Sequence, residues 1–105
     1  MKTFGELKTG DRIFRAWKGK VTEARVVKNT IAEEGLNEIN VVDCDTDCYG
    51  MVTAFTNAEW KESYKGEHKM VWFADIKLKK YIELGVMYGM EFTKGTMERL
   101  IKEIR

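Results

Sequence analysis

Hydrophobic and polar positions follow a two-residue rhythm through the first 74 residues and a helical rhythm after that. Gly10-Asp11 opens a predicted strand over residues 12–17, with Ile13, Arg15 and Trp17 on one face and Phe14 and Ala16 on the other. Lys18-Gly19-Lys20 reads as a tight reversal into a β-branched strand over 21–30, so the two pair as a hairpin. After the polar link IAEEGLNE, residues 39–42 and 49–55 form a second pair across DCDTDC. Residues 57–63 suggest a single helical turn, and 70–73, entered from KGEHK, a fifth strand.

From Asp75, a predicted N-cap, Leu78, Tyr81, Ile82, Gly85, Tyr88, Gly89 and Phe92 recur at helical spacing while Lys77, Lys79, Lys80 and Glu83 fall off the stripe. Both glycines therefore lie on the predicted buried side. A strand reading competes here, because each glycine costs a helix about 1 kcal/mol and Val86, Tyr88, Met90 and Phe92 also alternate. The helical reading is preferred. Thr93-Lys94-Gly95 breaks the pattern, and Thr96 is the expected cap of a second helix carrying Met97, Leu100, Ile101 and Ile104 on one face, with Glu98 opposite Lys102.

These elements predict an α+β chain of one domain over residues 1–105: a small five-stranded antiparallel β-barrel over 1–74, followed by a C-terminal helical segment over 75–105 that covers one open end. The strand count, the strand lengths and the entry Leu7, Gly10, Asp11, Ile13, Phe14 (L-x-x-G-D-x-I-F) make residues 3–74 resemble a Src-homology-3-like small β-barrel. That resemblance implies a binding module more than an enzyme. Trp17, Trp60 and Trp72 are isolated from one another, without the acidic, tryptophan-containing groove pattern of the signalling members, so proline-rich ligands are not expected.

Composition narrows the chemistry. One histidine, His68, and one serine, Ser63, lie five residues apart in one segment, which leaves no independently placed nucleophile and base. Neither GxGxxG nor GxxxxGK[ST] occurs, so the common phosphate cradles are missing, and no cofactor is expected. Cys44 and Cys48 are too few for a disulfide framework, and no apolar run reaches the roughly 18 residues of a membrane span. The expected location is cytoplasmic, with reduced thiols and no membrane partner.

Net charge is +1, yet charge is segregated: residues 1–30 carry eight basic and three acidic side chains, 31–60 carry seven acidic and no basic ones, and 61–105 carry ten basic and seven acidic. Such a layout either orients the molecule on a partner or is neutralised between strands. Asp43, Asp45 and Asp47 alternate like the start of a calcium loop. The glycine position is Cys48 and the closing glutamate position is Ala54, so only a weak hard-cation candidate remains.

One binding surface is expected, with a second as its alternative. The first is a protein interface of Tyr81, Tyr88, Met90 and Phe92, for another protein or a second copy in a homodimer. The alternative is nucleic-acid binding by Arg12, Arg15, Trp17, Lys18, Lys20 and Arg25, where cations meet phosphates and the indole stacks on a base.

Overall fold

The structure, a computed structural model, describes residues 1–105. Six strands, β1 (Arg12–Trp17), β2 (Lys20–Glu33), β3 (Leu36–Asp43), β4 (Tyr49–Phe55), β5 (Trp60–Lys65) and β6 (His68–Phe73), precede two helices, α1 (Ile76–Met87) and α2 (Lys94–Ile104). All strand pairs are antiparallel in one sheet of order β4-β3-β2-β1-β6-β5. The sheet curls into a half-barrel, so the α+β class holds with six strands in place of five.

The additional strand is β5. Its alternation of Trp60, Glu62 and Tyr64 against Lys61, Ser63 and Lys65 is matched residue for residue by β6, from Trp60↔Phe73 to Lys65↔His68. No helical turn spans residues 57–63, because pairing with β6 satisfies this backbone better than an isolated turn would. For the same reason IAEEGLNE is strand rather than link: β2 and β3 pair out to Glu33↔Leu36, with only Glu34 and Gly35 in the turn. Glu33 and Glu34 point to solvent while the ladder continues beside them, and Asn37 turns inward.

β1 lies between β2 and β6, and both of its faces are buried. Ile13 joins Phe4, Leu7, Val26, Ile39 and Val52 inside the curl. Phe14 and Ala16 join Val71, Phe73, Leu78, Ile82 and Met97 outside it, beneath the helices. Phe14 and Phe73 are cross-strand partners with ring centroids 5.4 Å apart. The helices thus cover the outer face of the sheet rather than an open end, where α1 packs on β1 and β2.

One end of the curl is filled instead by the N-terminal segment. Phe4 N–H and Gly5 N–H donate to the carbonyls of Ala58 and Thr56, each at 2.9 Å. Asn29 Nδ2 donates to the Phe4 and Leu7 carbonyls at 2.9 Å, Asn37 Nδ2 donates to Asn29 Oδ1 at 2.9 Å, and Thr56 Oγ1 donates to Asn37 Oδ1. This chain of amides closes the bottom of the first core without leaving a buried polar atom unpaired.

Asp75 caps α1 as expected, accepting from Lys77 N–H at 2.8 Å and from Lys2 N–H at 2.6 Å. The helix ends earlier than the stripe suggested. Gly89, at φ +71°, takes the left-handed conformation that follows many helix C-termini, so it is a terminator and not part of the buried face. Gly85 is buried, and a Cβ there would stand 2.8 Å from Phe92 Cζ, so the glycine is a seat for that ring. The second helix starts at Lys94, capped by Thr93, whose hydroxyl accepts from Thr96 N–H at 3.2 Å. Thr96 is inside the helix because Lys94 and Gly95 fall in its first turn, where backbone donors need no helical partner. Glu98 and Lys102 form no ion pair; the terminal charge that is used is Arg105, on Glu59.

Truncating Asn37, which is 4% exposed, removes partners from both Asn29 and Thr56 inside the core. Asn37→Ala is expected to lower unfolding free energy by about 1–3 kcal/mol, read as a reduced urea midpoint at unchanged slope.

Candidate interaction surfaces

α1 is apolar on two sides. Leu78, Ile82 and Gly85 face the sheet, while Tyr81 (46% exposed), Leu84 (45%), Met87 (74%) and Tyr88 (81%) face solvent, joined by Met90 (48%) beyond the helix end. Lys77, Tyr81, Leu84 and Tyr88 follow i, i+4, i+7, i+11 spacing and form one outward stripe, with exposed Lys80 beside it. Of the expected interface residues, Tyr81, Tyr88 and Met90 are at the surface. Phe92 is not: it is 9% exposed, packed on Gly85 and part of the outer core. Leu84 and Met87 replace it, and helical spacing alone placed them there once the buried side was fixed by Leu78 and Ile82.

A second cluster occupies the rim of the half-barrel at the β1–β2 turn. The Trp17 ring has Lys18 Nζ at 4.7 Å, Arg15 Cζ at 5.2 Å and Lys65 Nζ at 5.3 Å from its centroid. Arg15 also lies 5.4 Å from the Trp72 ring, donates to Thr22 Oγ1 at 3.3 Å, and pairs with Asp43 at 3.6 Å. Two clefts, of about 420 and 380 Å³, border this cluster and share Trp17 in their walls. Trp17 Nε1 is buried without a hydrogen-bond partner.

The structure therefore divides the expected basic surface. Arg15, Trp17, Lys18 and Lys20 line one site. Arg12 and Arg25 are cross-strand partners at the opposite end of β1, and Arg12 Nη1 lies 3.2 Å from Cys44 Sγ. Trp72 and Lys65 enter the cluster from β6 and β5. Trp72 falls in the strand expected over 70–73, whereas Lys65 was expected in a turn, and neither the β5 strand nor the β1–β6 pairing that brings Arg15 opposite Trp72 was visible in the sequence.

The acidic turn between β3 and β4 is a hydrogen-bonded loop in which the three carboxylates do not converge. Asp43 Oδ1 accepts from Asp45 N–H at 2.9 Å and Thr46 N–H at 3.0 Å, and no group of three metal-ligating side chains meets there or elsewhere. Asp45 and Asp47 are exposed, and so are the free thiols of Cys44 and Cys48. Of the seven carboxylates in residues 31–60, only Asp43 and Glu59 form ion pairs, so most of that segment's negative charge remains at the surface.

β4 is a sheet edge whose outward side chains, Tyr49, Met51 and Phe55, are 83%, 58% and 71% exposed. Lys61 of β5 donates to the Thr53 carbonyl across the unpaired seam. No helix is long and apolar enough to cross a membrane. Comparison with family models, with curated proteins and with solved structures finds no match for this chain.

The Asp43 carboxyl is held below its ordinary pKa chiefly by the Thr46 backbone N–H, which outweighs the raising effect of burial, with further lowering from Asp45 N–H, the Thr46 side chain and Arg15. A depressed carboxyl stabilises the fold above the unfolded pKa of about 3.9 and loses that contribution as pH falls below it. Asp43→Asn is therefore expected to flatten stability between about pH 4 and pH 2 relative to the parent, measured by thermal melts across that range. An unchanged pH profile would show that the turn is not held by the ionised carboxylate.

Proposed function

We propose that this chain is a non-enzymatic protein-binding module whose docking surface is the outer side of α1. The observation that carries the reading is a helix with apolar side chains on both its sheet-facing and its solvent-facing sides. A helix packed against one sheet needs a single apolar stripe; a second one of Tyr81, Leu84 and Tyr88 lowers free energy only when another surface covers it. Tyrosine and methionine supply large contact area, and the latter adapts its shape. Exposed Lys77 and Lys80 have no carboxylate within ion-pair distance, which suits an apolar partner surface rimmed by acidic groups.

Non-enzymatic action is supported by the placement of the catalytic residue types. Ser63 Oγ is buried without a hydrogen-bond partner, and His68 stands exposed at the start of β6, so the one serine has no histidine base bonded to it. We also read the half-barrel as related in design to Src-homology-3-like barrels. The L-x-x-G-D entry supports this: Asp11 Oδ2 accepts from Lys8 N–H at 2.8 Å, and Gly10 N–H donates to Val26 O at 2.8 Å.

A photo-crosslinking residue in place of Tyr88 is expected to trap one discrete protein, or a second copy, in cells; Leu84→Glu is expected to abolish the adduct. Adducts no stronger than those from the same residue at exposed Lys102 would reject the surface.

A further inference from the structure

We propose that the Trp17 rim is a second binding site, for a nucleotide unit: a planar base stacked on the Trp17 indole and its phosphate held by Lys18 and Lys65. The site does not depend on the Tyr81, Leu84 and Tyr88 stripe of α1, although the larger cleft beside Trp17 shares Met90 with that surface.

Three cationic groups stand within 5.3 Å of one ring centroid, and a single carboxylate, Asp43, pairs with only one of them. Lys18, Lys20 and Lys65 have no carboxylate partner. Each cation is attracted to the ring face, but the cluster as a whole carries more positive than negative charge, and an entering anion would meet lysines that no carboxylate neutralises. Asp43 does not neutralise them, because its oxygens are committed to the turn and to Arg15.

The backbone supports the same conclusion. Lys18 has φ +47° and Gly19 φ +73°, as a two-residue hairpin turn of the primed kind requires at both positions. Glycine fits such a position without strain, whereas lysine at Lys18 is held in a sparsely populated conformation. The strained residue is also the cation nearest the ring, at 4.7 Å. Arg15, by contrast, is fixed from several directions: the two indoles, Thr22 and Asp43 hold its guanidinium as part of the wall. Lys18 and Lys65 are then the mobile members that swing from the ring to a phosphate, leaving the indole face for a base. The clefts on either side of Trp17 provide the volume, about 420 and 380 Å³. Base stacking on an aromatic ring beside lysines is the physical scheme of sequence-tolerant single-strand binding.

Such a unit can come from a free mononucleotide or from a single strand, and the two sources are separated by titration at low salt. The probes are a fluorescein-labelled oligodeoxythymidylate of about ten nucleotides, thymidine monophosphate as competitor, and inorganic phosphate. Both nucleotide probes are expected to bind and phosphate alone to compete poorly. Tighter binding of the oligonucleotide identifies a strand, and equal occupancy per nucleotide identifies the free nucleotide. Trp17→Ala should weaken binding about 5- to 150-fold, and Lys65→Met should reduce the salt slope by about 0.7. Lys18→Gly should raise the melting temperature while weakening binding, a combination that a purely structural lysine would not give. Leu84→Glu should bind as the parent does. No binding by either nucleotide probe, competition by phosphate as strong as by nucleotide, or parental affinity in both Lys18→Gly and Lys65→Met would overturn the proposal.

Discussion

Burial of β1 on both faces is the constraint from which the rest of the molecule follows. A strand whose odd positions enter one core and whose even positions enter another must lie in the interior of a sheet and have cover on each side. Here the inner cover is the curl of the sheet itself with the N-terminal segment, and the outer cover is the helical pair. The alternation ends at the rim: Arg15 and Trp17 continue the inner face but reach past the hydrophobic layer, where a guanidinium between two indoles takes over from aliphatic packing. The same pleat that builds the core thus delivers a polar aromatic cluster to its mouth.

The helices illustrate how one small core limits what can be buried. Leu78, Ile82, Met97 and Ile101, with Phe92 on Gly85, fill the outer layer over β1 and β6. That layer is one helix deep, so the opposite side of α1 has nothing in the chain to rest on. Its tyrosines, leucine and methionine remain at the surface although their sequence pattern is as apolar as that of the buried side. Similar logic applies to β4, whose inner residues Val52 and Ala54 are buried while the alternate ones have no layer above them.

Charge follows a comparable division. The basic first hairpin and the acidic β3–β4 turn meet through Arg15 and Asp43, and Arg105 reaches Glu59 from the chain end. These contacts link the segments without neutralising them, because most of the remaining acidic groups sit on turns and on the solvent side of β2 and β3. The outcome lies between the two arrangements that segregation in the sequence allowed.

Sequence by itself determined the change of period near Asp75, the faces of β1, the cap of α1 and the class of the fold, because each of these depends on residues within a few positions of one another. The extension of β2 and β3 towards their turn and the strand β5 are not legible in the pattern for a definite reason: their backbones are satisfied by a neighbouring strand, and side-chain hydrophobicity carries no record of that. Burial of Phe92 was likewise decided by tertiary structure, through a chain reversal at Gly89 that folds the ring back onto Gly85. Register alone set Trp72 across from Arg15 and brought Lys65 to Trp17. Local periodicity is written in spacing along the chain, whereas the partners of a strand or a ring are chosen by long-range pairing, and only the folded sheet contains that choice.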